Sequence, residues 1–105
     1  MTADKMTVLN TTFHVDRRVG VEFLAWLRNE YLPAAQSSPS VSSTRLMRLV
    51  EEVAEGADSY ALHLEGFDGD ALEQWYQQSA QPLLRGLFKR VGQRVVHFST
   101  YMEVI

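Results

Sequence analysis

The chain has 105 residues, with 13 acidic and 10 basic side chains and a formal charge of -3. That length suits one domain, and the charge lacks the basic excess that binding to a phosphate backbone needs, which argues against nucleic acid as a partner. The absence of cysteine excludes disulfides, thiolate metal sites and a cysteine nucleophile.

The N-terminus is polar and lacks the apolar core of a signal peptide. Glu22 interrupts the apolar stretch 19–27, and Glu51 and Glu52 follow Leu49 and Val50, so nothing approaches the roughly 18 to 20 apolar residues of a membrane span. The expectation is a cytoplasmic protein with no membrane partner, folded over residues 6–105, with residues 1–5 as a frayed tail.

Residues 7–15 alternate, with Leu9, Thr11, Phe13 and Val15 on one side and Val8, Asn10, Thr12 and His14 on the other. This period of two predicts a strand. Residues 18–32 carry Gly20, Phe23, Leu24, Leu27 and Tyr31 on one arc of a helix, with Trp26 at its margin. Pro33 is expected to stop that helix near Leu32. The serine-rich stretch 36–43 reads as a mobile connection.

Residues 43–54 predict a second strand whose inward set, Arg45, Met47 and Leu49 or Leu46, Arg48 and Val50, is undecided. Turn chemistry at 55–58 leads to a third strand over 59–67, with Tyr60, Leu62 and Leu64 opposite Ala61, His63 and Glu65. Asp70 and Glu73 fit a capping box. Leu72, Trp75, Tyr76 and Ser79 follow at helical spacing. Pro82 opens a further helical segment with Leu83, Leu87 and Val91 on one side, and Gly92 suits its C-terminal cap. In the last strand, from 94 to 105, Val96, Phe98, Thr100, Met102 and Val104 alternate with Val95, His97, Ser99, Tyr101 and Glu103.

The order β-α-β-β-α-β predicts an α+β, ferredoxin-like sandwich: a four-stranded antiparallel sheet with both helices on one face. The crossover rule adds the expectation that strands one and three are central and run parallel. The other sheet face must meet water, a partner or a ligand. It is expected to carry Asn10, Thr12, His14, Ala61, His63, Glu65, Val95, His97, Ser99, Tyr101 and Glu103. Two such faces packed in a homodimer would enclose a semi-polar cavity.

The opening Val8-Leu9-Asn10-Thr11-Thr12-Phe13-His14-Val15-Asp16, the hairpin start Thr44-Arg45-Leu46-Met47-Arg48 and the ending Arg94-Val95-Val96-His97-Phe98 through Glu103-Val104-Ile105 resemble a family of small bacterial proteins of unknown function, domain-of-unknown-function family 4286. The resemblance runs over nearly the whole chain after Met6. That family is similar in architecture to the dimeric α/β-barrel superfamily, which includes cofactor-independent quinol-type monooxygenases, haem-degrading monooxygenases and muconolactone isomerases. The resemblance implies the fold and a homodimer. It implies no reaction and no catalytic residue.

The candidate ligand-binding residues are therefore those of the open face: Asn10, His14, His63, Glu65, His97, Tyr101 and Glu103. His14 and His97 with Glu65 form a set able to hold a divalent metal or do acid–base work. Tyr101, Glu103 and Asn10, with Arg45 or Arg48, can orient a phenolic or carboxylate ligand. Trp26 and Phe88 are placed at an entrance or contact surface. No GxSxG, P-loop, dinucleotide fingerprint or HExxH motif occurs. The leading reading is a homodimer binding a small apolar or aromatic molecule, without a cofactor, and extending to cofactor-independent catalysis. The alternatives are a non-catalytic interaction module and a His/Glu metal-binding protein.

Overall fold

The computed structural model describes residues 6–105, so the expectation for residues 1–5 lies outside the described residues. Strands β1 (Thr7–Asp16), β2 (Ser43–Arg48), β3 (Ala57–Gly66) and β4 (Val95–Glu103) form one antiparallel sheet in the order β2-β3-β1-β4. The α+β, ferredoxin-like arrangement of the sequence reading is present. The central pair runs antiparallel, with Leu9 opposite Leu64 and Phe13 opposite Tyr60. The expectation of parallel central strands is corrected here. The crossovers join β1 to β2 and β3 to β4, and the hairpin between β2 and β3 reverses β3 relative to β1.

Register also decides the face of β2. Leu46 lies opposite Leu62, and Arg45 opposite His63. Leu46 is packed against the core while Arg45 and Met47 share the open face.

The helices are longer and less regular than expected. The first helical run covers residues 17–36: a 3-10 turn at Arg17–Val19, α-helix at Gly20–Trp26, a π-turn at Leu27–Tyr31 and α-helix again at Leu32–Gln36. Pro33 does not stop it. The Leu32 N–H reaches the Leu27 carbonyl, five residues back, and this widened turn takes up the prolyl ring and its missing N–H.

The second run covers residues 69–91 and repeats the device. α-Helix Gly69–Trp75 leads to a π-turn at Tyr76–Ala80, where Gln81 N–H reaches the Tyr76 carbonyl, and α-helix Gln81–Val91 starts with Pro82. The extra residue in the π-turn moves the next buried position from Ser79 to Ala80, while Leu87 and Val91 farther on are buried as the spacing predicts. Ala80 and Leu84 are buried, whereas the spacing predicts Ser79 and Leu83. The helix is capped by Asp68, which accepts from the N–H groups of Asp70 and Ala71, not by Asp70 itself. Gly92, at φ 60°, closes it as the sequence predicts.

The core lies between the helices and one sheet face. Leu9, Phe13, Phe23, Leu27, Leu62, Leu64, Leu72, Leu84 and Leu87 are fully buried there. Trp26 joins them instead of lining an entrance: three residues after Phe23 on the same α-helix, its ring packs against Phe13, Phe23 and Tyr31. The serine-rich connection is pinned: Val41 is buried, and the Ser42 N–H donates to the Glu65 carbonyl at 2.7 Å. A Cβ at Gly66 would stand 2.6 Å from the Ser40 carbonyl oxygen, so that close approach requires glycine.

Candidate functional site

Residues directly opposite one another in an antiparallel sheet share a face. Phe13 is opposite His97, Thr11 opposite Ser99, Leu9 opposite Tyr101 and Thr7 opposite Glu103. His97, Tyr101 and Glu103 therefore lie on the helix side, as do Val95 and Ser99, and their placement on the open face is corrected. The open face of β4 instead carries Val96, Phe98, Thr100 and Met102. The expectation failed because it assigned the more apolar side of the strand to the helices. That apolar side faces away from them: Phe98 is 55% exposed, Val96 52% and Met102 42%.

Asn10, His14, His63 and Glu65 do lie together on the open face. They form a polar seam between the apolar side chains of β4 and Met47 of β2. His14 Nδ1 shares a 2.6 Å hydrogen bond with Ser59 Oγ, Ser43 Oγ donates to the Glu65 carboxylate, and Asn10 Nδ2 donates to Thr12 Oγ1 at 3.2 Å. Asn10 Oδ1 is buried without a partner among the described residues. His14 also lines an open groove of about 650 Å³ at the end of the sheet, with Asp16, Arg18, Arg94 and Val96. Hydrogen bonds from the Arg18 side chain and backbone hold the Asp16 carboxyl down at about 2.

The proposed metal set does not assemble. His14 and His97 project to opposite faces, and no group of three His, Asp or Glu side chains among the described residues is placed to hold a metal ion.

The helix side of β4 holds a second constellation. Ser99 Oγ is 2.8 Å from both Thr11 Oγ1 and Tyr76 OH. The Tyr76 and Tyr101 rings meet edge to face with centroids 6.5 Å apart. Tyr31 sits between two tryptophans, its centroid 5.2 Å from Trp26 and 5.9 Å from Trp75. Trp26 Nε1 and Tyr31 OH are buried without a hydrogen-bond partner among the described residues. A buried donor in that state carries most of its desolvation cost, about 1 to 3 kcal/mol. Burial, with the Tyr76 and Tyr101 phenols nearby, raises the Tyr31 pKa, so its O–H stays protonated as a donor. Burial, then Glu73 and Tyr76, push Tyr101 up to about 12.

Both π-turns end on this cluster. Trp26 and Tyr31 bracket the first, and Trp75 and Tyr76 stand at the start of the second. Thr11, Tyr31, Tyr76 and Ser99 were not singled out as site residues from sequence. The available signal was a pair of small hydroxyls, Thr11 and Ser99, on strand faces that otherwise alternate with large side chains.

His97 stands at the side of the cluster. Its ring stacks on Phe13 at 5.9 Å and 17° and packs on Phe88 at 5.0 Å. Burial lowers its pKa below the ordinary imidazole value. The unfolded chain therefore holds this proton more tightly than the folded one. The stability that the neutral ring contributes is complete above the unfolded pKa of about 6.5 and is lost as pH falls through the folded value. In urea titrations from about pH 8 to about pH 5, the advantage of wild type over His97→Gln is expected to fall below about pH 6.5. An advantage that holds constant or grows over that window would contradict the buried neutral ring.

Residues 6–105 match the sequence family described as Domain of unknown function (DUF4286). The chain belongs to this family. No curated protein matches the sequence. Solved structures share the fold at low identity. A dimeric ferredoxin-like protein of unknown function from Thermobifida fusca is 11% identical, with 99% of this chain and 96% of that chain covered and a TM-score of 0.60. An ethyl tert-butyl ether d (ethd) family protein from Bacillus halodurans is 14% identical, with 94% and 99% covered and a TM-score of 0.68. SnoaB, a cofactor-independent oxygenase from Streptomyces nogalater, solved as a mutant, is 18% identical, with 98% and 93% covered and a TM-score of 0.63. No helix among the described residues is long and apolar enough to cross a membrane.

Proposed function

We propose that this DUF4286 protein is a homodimer that packs its two uncovered sheet faces together, and that each subunit binds a small aromatic or apolar molecule in the cluster between β4 and the helices. The observation that carries the binding site is the pair of buried, unpartnered donors, Trp26 Nε1–H and Tyr31 O–H, set among aromatic rings. A planar ligand with a hydrogen-bond acceptor satisfies them. Tyr101, 40% exposed on edge strand β4, is the member of the cluster that solvent reaches. The dimer is supported by the exposed Val96, Phe98 and Met102 and by the dimeric ferredoxin-like relatives. In this reading Asn10, His14, His63 and Glu65 form the semi-polar seam between the two sheets, and the unpartnered Asn10 Oδ1 accepts from across it.

The reading extends to cofactor-independent chemistry on the bound molecule, supported by the fold shared with such an oxygenase.

The test is native mass spectrometry of untagged protein for assembly, combined with 1-naphthol titration read by tryptophan fluorescence. A dimer mass and saturable binding are expected. Tyr31→Phe and Trp26→Phe should each weaken binding about three- to tenfold, the range of one lost hydrogen bond. Because the Tyr31 hydroxyl has no partner among the described residues, Tyr31→Phe should at the same time keep or raise stability toward urea. A monomer would overturn the assembly, and naphthol binding indifferent to both substitutions would overturn the site.

A further inference from the structure

β2 is an edge strand, paired among the described residues with β3 alone. The Leu49 N–H donates to the Ser59 carbonyl at 2.8 Å, and alternation from that pair turns the backbone N–H and C=O groups of Leu46 and Arg48 to the outer side. Beside this edge, on the helix side, runs an open groove of about 270 Å³ lined by Leu24, Arg28, Leu46, Arg48 and Tyr60. Its floor is apolar. Arg28 and Arg48 are exposed, and neither has an ion-pair partner among the described residues, whereas Arg17, Arg18 and Arg90 each do. The groove is too shallow to enclose a small molecule, and the backbone edge beside it offers ladder hydrogen bonds instead.

We infer that β2 accepts an extended acidic peptide segment of a partner protein as a fifth strand. Alternate side chains of an added strand hang on the helix side. An apolar one settles over Leu24, Leu46 and Tyr60, and acidic residues two positions to either side meet Arg28 and Arg48. The recognised pattern is acid-x-apolar-x-acid, with affinity from main-chain hydrogen bonds and selectivity from the two arginines. This surface is independent of the cluster behind β4.

The experiment titrates the full-length protein with the synthetic peptide Thr-Glu-Thr-Val-Thr-Glu-Thr-Thr and with its counterpart carrying lysine for both glutamates. Amide NMR shifts report the location and calorimetry the affinity. The acidic peptide should shift the amides of residues 43–49, and the basic one should not. The double variant Arg28→Glu/Arg48→Glu should lose about five- to tenfold for the acidic peptide, the worth of two exposed ion pairs, and gain for the basic one. That gain separates recognition from a folding defect. Equal binding of both peptides, shifts confined to another face, or no binding at about 1 mM peptide would overturn the proposal. So would exchange-protected outer amides on β2 in the free protein, which would mean that a second copy already covers the edge.

Discussion

Phe98→Asp is expected to turn the proposed homodimer into a folded monomer. Phe98 projects from β4 on the face that no helix covers, opposite Thr12 and flanked by Val96 and Thr100, with Met102 beyond. In a two-fold symmetric interface each substitution occurs twice, so two carboxylates must be desolvated against apolar neighbours at once. Each costs several kcal/mol if it stays ionised, and the pair should weaken dimerisation by at least about a thousandfold. Light scattering behind size exclusion, run over a hundredfold dilution, reads this directly. Gln78→Asp, on the exposed side of the second helical run, serves as control and should leave the dimer intact. A Phe98→Asp protein that remains dimeric at micromolar concentration would place the interface elsewhere and release the polar seam of Asn10, His14, His63 and Glu65 from the role given to it.

The same strand shows how far the sequence could be read. Period-two alternation located β4 and sorted its residues into two sets, and the register bears out that sorting. It did not say which set meets the helices. In β1 the choice was easy, because Leu9, Phe13 and Val15 oppose Asn10, Thr12 and His14. In β4 both sets carry large side chains, and Val96, Phe98 and Met102 outweigh His97, Ser99 and Tyr101 in apolar content. Choosing by hydrophobicity assumes a single buried face, and an exposed apolar face on the other side defeats it. That one inversion moved His97, Tyr101 and Glu103 to the wrong side and hid the cluster they border. A second loss came from the π-turns. Helical spacing assumes a constant 100° per residue, and one inserted residue before Pro33 and before Pro82 breaks the phase. This is why Ala80 is buried where constant spacing selects Ser79. Element order, the ferredoxin-like fold and the apolar side of β3 needed no such phase information and were legible.

Phe13→Ala tests the face assignment from the opposite side. Phe13 is fully buried, with ring contacts to Phe23 at 5.0 Å, Trp26 at 6.4 Å and His97 at 5.9 Å. Truncation removes the hub of that aromatic set and leaves a cavity that a rigid sheet cannot close. The expected loss is about 3 to 5 kcal/mol in urea unfolding, a large part of the 5 to 15 kcal/mol or so available to a typical domain. At about 4 to 8 °C per kcal/mol for a domain near this size, Tm should fall by at least about 12 °C. Phe13→Leu, which refills most of the volume, keeps the comparison measurable if the alanine variant folds poorly. Phe98→Ala provides the contrast, since the same side chain is removed from the neighbouring strand on the opposite face. Measured in the Phe98→Asp background's oligomeric state, that is at dilutions where the protein is monomeric, Phe98→Ala should change stability by under about 1 kcal/mol, because the ring is half exposed in the subunit. Its effect should reappear as protein concentration rises and dimerisation adds to stability by mass action. If both alanine variants instead cost the same at every concentration, the two faces of the sheet would be equally buried within one subunit. The division between an inward aromatic core at Phe13 and an outward contact surface at Phe98 would then be wrong.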